Sequence, residues 1–303
     1  MANNLTITGY STALFSTWYF VREYGTLFDC GDGATTALMQ KARRIKHVFV
    51  SHADRDHLAG LLQFNQLNGR DGLTIYYPKN CGSFPALGEF SARFDPQTSG
   101  TRWVPLDRGE EVRIRQDVVV RAIENSHVQT ADDQVKSLSY FVDSVARKLK
   151  PEFAGLPGSD IAALRKERGN DAITHEVRTT PLAFSADTPI ELDGRYNNAQ
   201  TLIHEATFLT EAEIEPNNPR RNKHSSLDQV MRMVAGSNIQ HLVLGHFSSR
   251  YSREEIDEAV AREIERNRIT VPVHLIRPGD TVWDILNRDE SDEPPKKQER
   301  DER

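Results

Sequence analysis

The stretch IKHVFVSHADRDHLAG, residues 45–60, decides the fold of this chain. Its first seven residues are rich in β-branched and aromatic side chains, which predicts a strand. A helix is expected to begin near Asp56 or His57 and to continue through the apolar residues that follow. The turn between strand and helix carries four side chains of the types that bind metal ions: His52, Asp54, Asp56 and His57.

The spacing within this turn has a physical consequence. His52 and Asp54 leave the strand two residues apart, so their side chains can point the same way. Asp56 and His57 come from the turn itself and can face a second metal. Taken alone, the pattern is also compatible with a polar loop that caps a helix, so the prediction of a metal site depends on residues elsewhere.

Three later residues complete a candidate ligand set, and each lies beside a predicted turn or strand end: His127, Asp187 and His246. The whole set holds four imidazoles and three carboxylates, which suit divalent first-row metals. A bridged pair of such metals can activate water and hold a phosphoryl group during an in-line displacement. The sequence therefore predicts a two-metal hydrolytic site.

Several motifs along the chain resemble the metallo-β-lactamase superfamily and, more narrowly, its tRNase Z (ribonuclease Z) branch. SHADRDHLAG is similar to the HxHxDHxxG signature of the superfamily, and HEAT and HFSSRY are far more specific to the branch. The resemblance covers roughly residues 4–285 and rests on these segments: LFDCGDGATTAL with Asp29, SHADRDHLAG, His127 before SLSYF, FSADTPIEL, TLIHEATFL, NKHSSLDQV and LVLGHFSSRYS.

The resemblance implies a role for each candidate residue. One metal is expected on His52, Asp54 and His127, the other on Asp56, His57 and His246, with Asp187 bridging. A water between the metals would become hydroxide, and Asp56 could orient or deprotonate it. Glu205 and His224 would form an acid relay that protonates the leaving oxygen. Arg250, or a loop with Arg220 and Arg221, could neutralise the phosphoryl oxygens.

The chain departs from the resembled pattern at one ligand. Asp54 stands where the signature has its second histidine, so the first site gains a negative charge and a hard oxygen. Two divalent ions are expected, with Zn²⁺ as the first choice and Mn²⁺, Mg²⁺ or Fe²⁺ as alternatives because of Asp54. Ser139, Ala186 and Ser226 are smaller departures. Residues 155–181 are expected to leave little length for a projecting tRNA-binding arm.

The order of predicted elements indicates an α/β fold, a metallo-β-lactamase αβ/βα four-layer sandwich in which two sheets are flanked by helices. One hydrolase domain is expected over residues 1–287, and the charged, Pro-broken residues 288–303 read as a disordered tail. Strands are predicted at 4–9, 17–30, 45–51, 73–78, 137–144, 181–188, 201–207, 241–247 and 270–276, and a hairpin is predicted at 112–127. Helices are predicted at 33–43, 57–67, 160–169, 225–238 and 252–267.

The composition gives no general sign of nucleic-acid binding, because 38 basic and 44 acidic residues leave a net charge of -6. RNA binding would need a local basic patch. No apolar stretch approaches a membrane span, and no signal peptide is indicated, so we expect a cytoplasmic protein without membrane contact. A homodimer is expected from the resemblance. Three basic clusters are candidates for a patch: Lys41/Arg43/Arg44/Lys46, Arg165/Lys166/Arg168 and Arg220/Arg221/Lys223.

Three functions follow from these observations. The leading interpretation is a metal-dependent phosphodiesterase that cleaves RNA, an endonuclease of the tRNA 3′-end processing type. The first alternative is a phosphodiesterase of small substrates such as cyclic nucleotides, which would need the same metals and acid relay but no arm. The second is a non-catalytic protein of the same fold that has lost a metal at Asp54.

Overall fold

The computed structural model describes residues 5–128, 130, 134–214 and 224–287. Within these residues the first sheet has seven strands in the order β14-β1-β2-β3-β4-β5-β6. Its central strands, β3 to β6, run parallel, whereas β14, β1 and β2 are antiparallel to their neighbours. The strands are β1 (Ile7–Thr12), β2 (Ser16–Val21), β3 (Thr26–Phe28), β4 (His47–Phe49), β5 (Thr74–Pro78), β6 (Arg102–Leu106) and β14 (Thr281–Val282).

The second sheet also has seven strands in the described part of the chain, in the order β13-β12-β11-β10-β9-β8-β7. Here β10 to β13 are parallel, and β7 to β9 continue the sheet as an antiparallel meander. The strands are β7 (Glu111–Arg115), β8 (Val118–Glu124), β9 (Leu138–Leu149), β10 (Thr174–Phe184), β11 (Ala199–Glu205), β12 (His241–Gly245) and β13 (Val273–Leu275).

Helices cover the outer face of each sheet. On the first sheet lie α1 (Ala34–Leu38), α2 (Arg55–Leu58), α3 (Leu61–Asn68) and α4 (Ser83–Phe94), and on the second lie α7 (Leu227–Ala235) and α8 (Arg253–Asn267). Two further helices, α5 (Gly158–Arg168) and α6 (Asn170–Ile173), lie between β9 and β10. Ser226 is the N-cap of α7, and Ser252 caps α8 by accepting a hydrogen bond from Glu255 N.

Three hydrophobic cores separate the four layers, because alternate residues of a strand face opposite sides of its sheet. Phe28 and Phe49 point inward and pack against Tyr140 and Phe184 of the second sheet. The adjacent residues of β3 and β4 point outward, toward α1 to α4. A third core lies between the second sheet and α7 and α8. The predicted αβ/βα sandwich is confirmed.

The structure corrects several predicted elements. The predicted strand 17–30 is two strands, because Gly25 adopts a left-handed conformation (φ 57°) and reverses the chain between β2 and β3. The predicted helix 57–67 is interrupted at Ala59 and Gly60 and forms α2 and α3. Helix α4 and strands β6 and β14 were not predicted. The predicted tail, 288–303, lies outside the described residues.

The region between the SLSYF and FSADTPIEL segments is more ordered than its sequence suggests. β9 beyond Ser144 and β10 before Thr180 pair only with each other among the described residues. They form a two-stranded extension of the sheet that α5 and α6 complete, and α5 has no buried residue. We call residues 145–179 the ribbon. The ribbon contains most of residues 155–181, the segment that was expected to be too short for a projecting tRNA-binding arm.

None of the helices in the described ranges combines the length and the apolar composition that crossing a membrane requires.

Candidate active site

The predicted metal ligands converge at the ends of strands from both sheets. Four of them follow β4, and the others follow β8, β10 and β12. Six have almost no solvent exposure, whereas the Asp54 side chain is 49% exposed and marks the open side of the cluster. The fold therefore brings together all seven: His52, Asp54, Asp56, His57, His127, Asp187 and His246.

The ligand atoms divide into groups like those that the resemblance implied. Within each group they lie no more than 4.8 Å from one another. Asp187 Oδ2 lies 3.2 Å from His57 Nε2, 3.3 Å from His246 Nε2 and 3.8 Å from His52 Nε2, a position that suits a bridging ligand. Three of the five groups contain only the predicted ligands: His52–Asp54–His127, Asp56–His57–His246 and His52–His57–Asp187. The other two include His224: His127–Asp187–His224 and Glu205–His224–His246.

The donor chemistry fits divalent metals. Nε2 of His52 and Nε2 of His57 are buried and have no hydrogen-bond partner among the described residues. A buried ring nitrogen without a partner costs about 1–3 kcal/mol, which a metal bond would offset. Imidazole nitrogens next to carboxylate oxygens are the set that Zn²⁺, Mn²⁺ and Fe²⁺ accept.

Asp54 gives the first group an unusual charge. Its Oδ2 lies 3.6 Å from His52 Nε2 and 3.7 Å from His127 Nε2. The adjacent His127 and His52 imidazoles hold the pKa of Asp54 well below its usual range, although partial burial opposes this. The carboxylate is therefore charged at neutral pH, at a position where the resembled motif has a neutral imidazole.

A buried carboxylate and a hydroxyl orient the imidazoles of the first sheet. Asp29 Oδ2 accepts hydrogen bonds from His57 Nδ1 (2.7 Å) and from Ser51 Oγ (2.9 Å). Ser51 Oγ lies 2.9 Å from His52 Nδ1. Since the hydroxyl donates its one proton to the carboxylate, it accepts from Nδ1–H of His52. Both imidazoles consequently turn Nε2 toward the cluster.

The backbone is strained at three of the strand ends. Asp29 (φ 55°), Ala186 (φ 55°) and His246 (φ 60°) adopt left-handed conformations just after β3, β10 and β12. This conformation costs a residue with a Cβ about 1–2 kcal/mol. Glycine would avoid that cost, and Ala186 stands where the resembled motif has glycine. The turns direct Asp187 and the His246 side chain into the cluster.

Asp56 connects the cluster to the hairpin between β1 and β2. Its Oδ2 accepts a hydrogen bond from Leu14 N (2.9 Å) and lies 3.3 Å from His246 Nε2. Burial alone would raise the pKa of Asp56, but the adjacent His246 and His57 imidazoles lower it to about 2. Gly60 sits directly behind this turn, and a Cβ there would overlap the carbonyl oxygen of Gly31.

The predicted acid relay lies beside the cluster. Glu205 ends β11, and its Oε1 accepts hydrogen bonds from His224 Nδ1 (3.0 Å) and Thr188 N (2.7 Å). The His224 ring lies 4.9 Å from the His127 ring and 5.6 Å from the His246 ring, centroid to centroid. The carboxylate holds Nδ1 of His224, so Nε2 is the nitrogen that can exchange a proton with a substrate.

The charges of this pair stabilise each other. Burial alone would lower the pKa of His224, but the adjacent Glu205 carboxylate raises it to about 9. Burial alone would raise the pKa of Glu205, yet the His224 charge and hydrogen bond lower it. At neutral pH the pair is therefore imidazolium and carboxylate, the form in which His224 can act as an acid.

The predicted substrate-binding arginines have different outcomes. Arg220 and Arg221 lie outside the described residues. The Arg250 guanidinium donates to Glu213 Oε2 (2.5 Å) and to the Tyr251 hydroxyl (2.6 Å), and it is half exposed. A phosphoryl group would have to compete with Glu213 for this guanidinium. The role of Arg250 in substrate binding therefore stays a prediction.

The sequence interpretation did not assign two hydroxyls and one amide that this site uses. Ser51 and Thr207 each bond an imidazole of the cluster, and Leu14 N bonds Asp56. Both hydroxyls stand within two residues of motif residues, Ser51 before His52 and Thr207 after Glu205. Their position next to motif residues could have indicated from the sequence that they belong to the site. Their hydrogen-bond partners could not be predicted, because these depend on how the strands are arranged.

Comparisons with known proteins identify the family of the chain. A sequence model described as a beta-lactamase superfamily domain matches residues 26–150. The chain is 31% identical over 265 residues to the chloroplast tRNase Z of Arabidopsis thaliana, covering 84% of this chain and 71% of that protein. It is 30% identical over 269 residues to a ribonuclease Z of Ignicoccus hospitalis, covering 80% and 85% respectively.

Solved structures support the fold. The short form of human tRNase Z superposes with a TM-score of 0.56 at 19% identity, covering 81% of this chain and 93% of that one. The metallo-beta-lactamase fold protein YhfI of Bacillus subtilis superposes with a TM-score of 0.60 at 14% identity, covering 92% and 99%.

Proposed function

The chain belongs to the ribonuclease Z family of the metallo-β-lactamase superfamily, and we propose that it is a metal-dependent endonuclease that cleaves precursor tRNA at its 3′ end. The family accounts for a metallohydrolase of the phosphodiesterase type. Our proposal concerns the substrate, which is precursor tRNA.

The observation that carries this proposal is the Glu205–His224 pair beside the His/Asp cluster. A ribose hydroxyl is a poor leaving group, so cleavage of an RNA phosphodiester benefits from a proton donor, typically by a factor of about 10²–10⁴. An imidazolium held by a buried carboxylate is such a donor. Substrates with acidic leaving groups would not need it.

Each residue then has a proposed task. Metals held by the seven ligands would supply an activated water and neutralise charge on the phosphoryl group. Asp56 holds the hairpin between β1 and β2 through its hydrogen bond from Leu14 N. Glu205 fixes Nδ1 of His224 and leaves Nε2 to deliver its proton to the leaving ribose oxygen.

The ribbon supports RNA over a small substrate. Residues 145–179 hold seven basic and five acidic side chains, so this segment is positive in a chain whose net charge is -6. α5 buries none of its residues, and its Arg165, Lys166 and Arg168 are exposed. An exposed basic surface of this kind can contact phosphates along an RNA backbone.

The test is a comparison of substrates. Purified protein is incubated with precursor tRNA bearing a 3′ trailer, with bis(p-nitrophenyl) phosphate and with cyclic AMP, in Zn²⁺, Mn²⁺ and Mg²⁺ separately. An Asp56→Ala variant serves as the inactive control. We expect metal-dependent cleavage of the precursor at its 3′ boundary, and loss of that cleavage in the variant.

Hydrolysis of cyclic AMP without cleavage of precursor tRNA would replace this proposal with the small-substrate phosphodiesterase. The absence of turnover with every metal and every substrate, together with no bound metal, would indicate a non-catalytic protein. In that case Asp54 becomes the first residue to substitute.

Four finer expectations belong to the same proposal. Zn²⁺ is the first choice of metal, the protein acts in the cytoplasm, and it forms a homodimer. Residues 1–287 form the hydrolase domain, and the charged residues 288–303 are a tail outside it. The mass in solution, measured by light scattering, tests the dimer, and activity of a chain ending at Asn287 tests the domain boundary.

A further inference from the structure

One hydroxyl lies between the candidate metal cluster and the acid relay. Thr207 is buried, and its Oγ1 lies 2.5 Å from Glu205 Oε2, 2.9 Å from His246 Nδ1 and 3.3 Å from His224 Nδ1. Thr207 N also donates to Glu205 Oε2.

The chemistry of the groups fixes the direction of these hydrogen bonds. A charged carboxylate can only accept, so the single hydroxyl proton of Thr207 goes to Glu205 Oε2. The oxygen of Thr207 is then an acceptor for Nδ1–H of His246. Nδ1 of His224 directs its own proton to Glu205 Oε1, at 3.0 Å. The arrangement is therefore a chain from imidazole to hydroxyl to carboxylate.

This chain decides which nitrogen His246 offers to the cluster. With Nδ1 protonated and bonded to Thr207, the lone pair resides on Nε2. That atom lies 3.3 Å from Asp56 Oδ2 and 3.3 Å from Asp187 Oδ2, within the group of candidate ligands. In the described part of the chain, Thr207 is the hydrogen-bond partner found for Nδ1 of His246.

The same arrangement occurs independently on the other sheet. Ser51 Oγ joins His52 Nδ1 to Asp29 Oδ2, at 2.9 Å on each side. In both cases a buried carboxylate accepts from a hydroxyl, and the hydroxyl accepts from Nδ1–H of a candidate ligand. The difference is that Glu205, unlike Asp29, also holds the acid His224.

We propose that Thr207 is a positioning residue for both parts of the site. It fixes His246 with Nε2 toward the metal cluster, and it holds Glu205 in the orientation that serves His224. The second half of this statement rests on the proposed function, whereas the first half concerns metal binding alone. One hydroxyl thereby couples the geometry of the cluster to that of the proton donor.

The test uses three threonine variants of the full chain. Thr207→Val keeps the shape of the side chain and removes the hydroxyl, and Thr207→Ser keeps the hydroxyl. Thr201→Val is the matched control, since Thr201 lies on β11, the strand that ends two residues before Thr207, is fully buried, and its hydroxyl has no partner among the described residues. Zinc affinity is measured by competition with a chromogenic chelator, and folding by thermal unfolding.

We expect Thr207→Val to weaken zinc binding by about 10–100-fold, the usual loss when a hydrogen-bond partner of a metal ligand is removed. Thr207→Ser and Thr201→Val should stay near the wild type. With saturating zinc, Thr207→Val should still cleave precursor tRNA with kcat reduced about tenfold or more and KM little changed, because the acid is misaligned.

Zinc affinity of Thr207→Val equal to that of Thr201→Val would overturn the first half. Full recovery of kcat on precursor tRNA at saturating zinc would overturn the second. If the wild type does not cleave precursor tRNA, the proposed function fails while the zinc competition still decides the role toward His246. If Thr207→Val does not fold, a zinc affinity for Thr207→Ser well below the wild type would likewise overturn the proposal.

Discussion

The metal-ligand cluster and the ribbon differ in almost every physical respect. In the cluster, the imidazoles and all carboxylates except Asp54 are buried, and hydrogen bonds with Asp29, Ser51, Thr207 and Leu14 orient several of these side chains. In the ribbon, charged side chains face solvent along two strands and one helix. The difference suggests a division of labour in which the cluster performs the chemistry and the ribbon selects the substrate.

The largest expected effect is on kcat when the proton donor His224 is removed, and it should depend on the leaving group of the substrate. His224→Ala should lower kcat on precursor tRNA by about 10²–10³-fold, because the leaving ribose oxygen loses its proton donor. The same variant should lose less than about tenfold on bis(p-nitrophenyl) phosphate, whose leaving group needs no proton. Steady-state kinetics on both substrates measure the ratio, and equal losses would place His224 in the metal cluster instead.

The second prediction concerns pH. The pKa of His224 is raised to about 9, so its proton is retained through neutral pH and lost as the pH rises through that value. Cleavage of precursor tRNA should therefore fall above about pH 9, approaching a tenfold loss per unit. A pH profile of kcat measures this. Hydrolysis of bis(p-nitrophenyl) phosphate should lack the alkaline limb, and a limb shared by both substrates would contradict the assignment.

The third prediction tests the ribbon. Replacing Arg165, Lys166 and Arg168 with glutamate should raise KM for precursor tRNA about tenfold, because phosphate contacts are lost, and should reduce the salt dependence of binding. Turnover of bis(p-nitrophenyl) phosphate should not change. The matched control is the same triple replacement at Lys41, Arg43 and Arg44, which are also exposed but belong to the helical layer of the first sheet. An equal rise in KM for precursor tRNA in both variants would contradict a special role of the ribbon in binding the substrate.

The smallest expected effect concerns metal choice. Asp54→His removes one negative charge and one hard oxygen from the first group, so the preference should move by about tenfold from Mn²⁺ or Mg²⁺ toward Zn²⁺. Metal content after exposure to equimolar Zn²⁺ and Mn²⁺ measures the shift. Unchanged content and unchanged metal dependence would show that Asp54 does not determine selectivity.

The two regions also differ in how well the sequence predicts them. The cluster follows from local rules, since strand ends place His52, His127, Asp187 and His246 next to turns, and short motifs mark them. Their convergence was predicted and is observed. The roles of Ser51 and Thr207 could not be read in the same way, because a hydroxyl finds its partner only after strands far apart in sequence are paired.

The two strands of the ribbon were missed for a different reason, whereas its helix was predicted at 160–169 and is observed as α5. The outer part of β10, THEVRTT, has exposed or half-exposed residues along most of its length, so it lacks the alternation by which a half-buried strand is recognised. Helix α4 was missed because Pro85 and Gly88 interrupt its pattern; Gly88 allows close contact with the Trp103 ring. The strand-pairing and packing partners of the outer part of β10 and of α4 determine their structure more than their own amino-acid composition does.

The pairing of β1 with β14 has a consequence for how this chain is made. Gly9 pairs with Val282, and Ile285 N donates to Ile7 O, so one edge of the first sheet is completed by residues more than 270 positions away. As the chain leaves the ribosome, the outer edge of β1 stays unpaired until nearly all the rest has been synthesised. An open strand edge is a template for pairing with another copy. Damage to β14 should therefore appear first as aggregation of newly made protein, before any change in the chemistry at the strand ends.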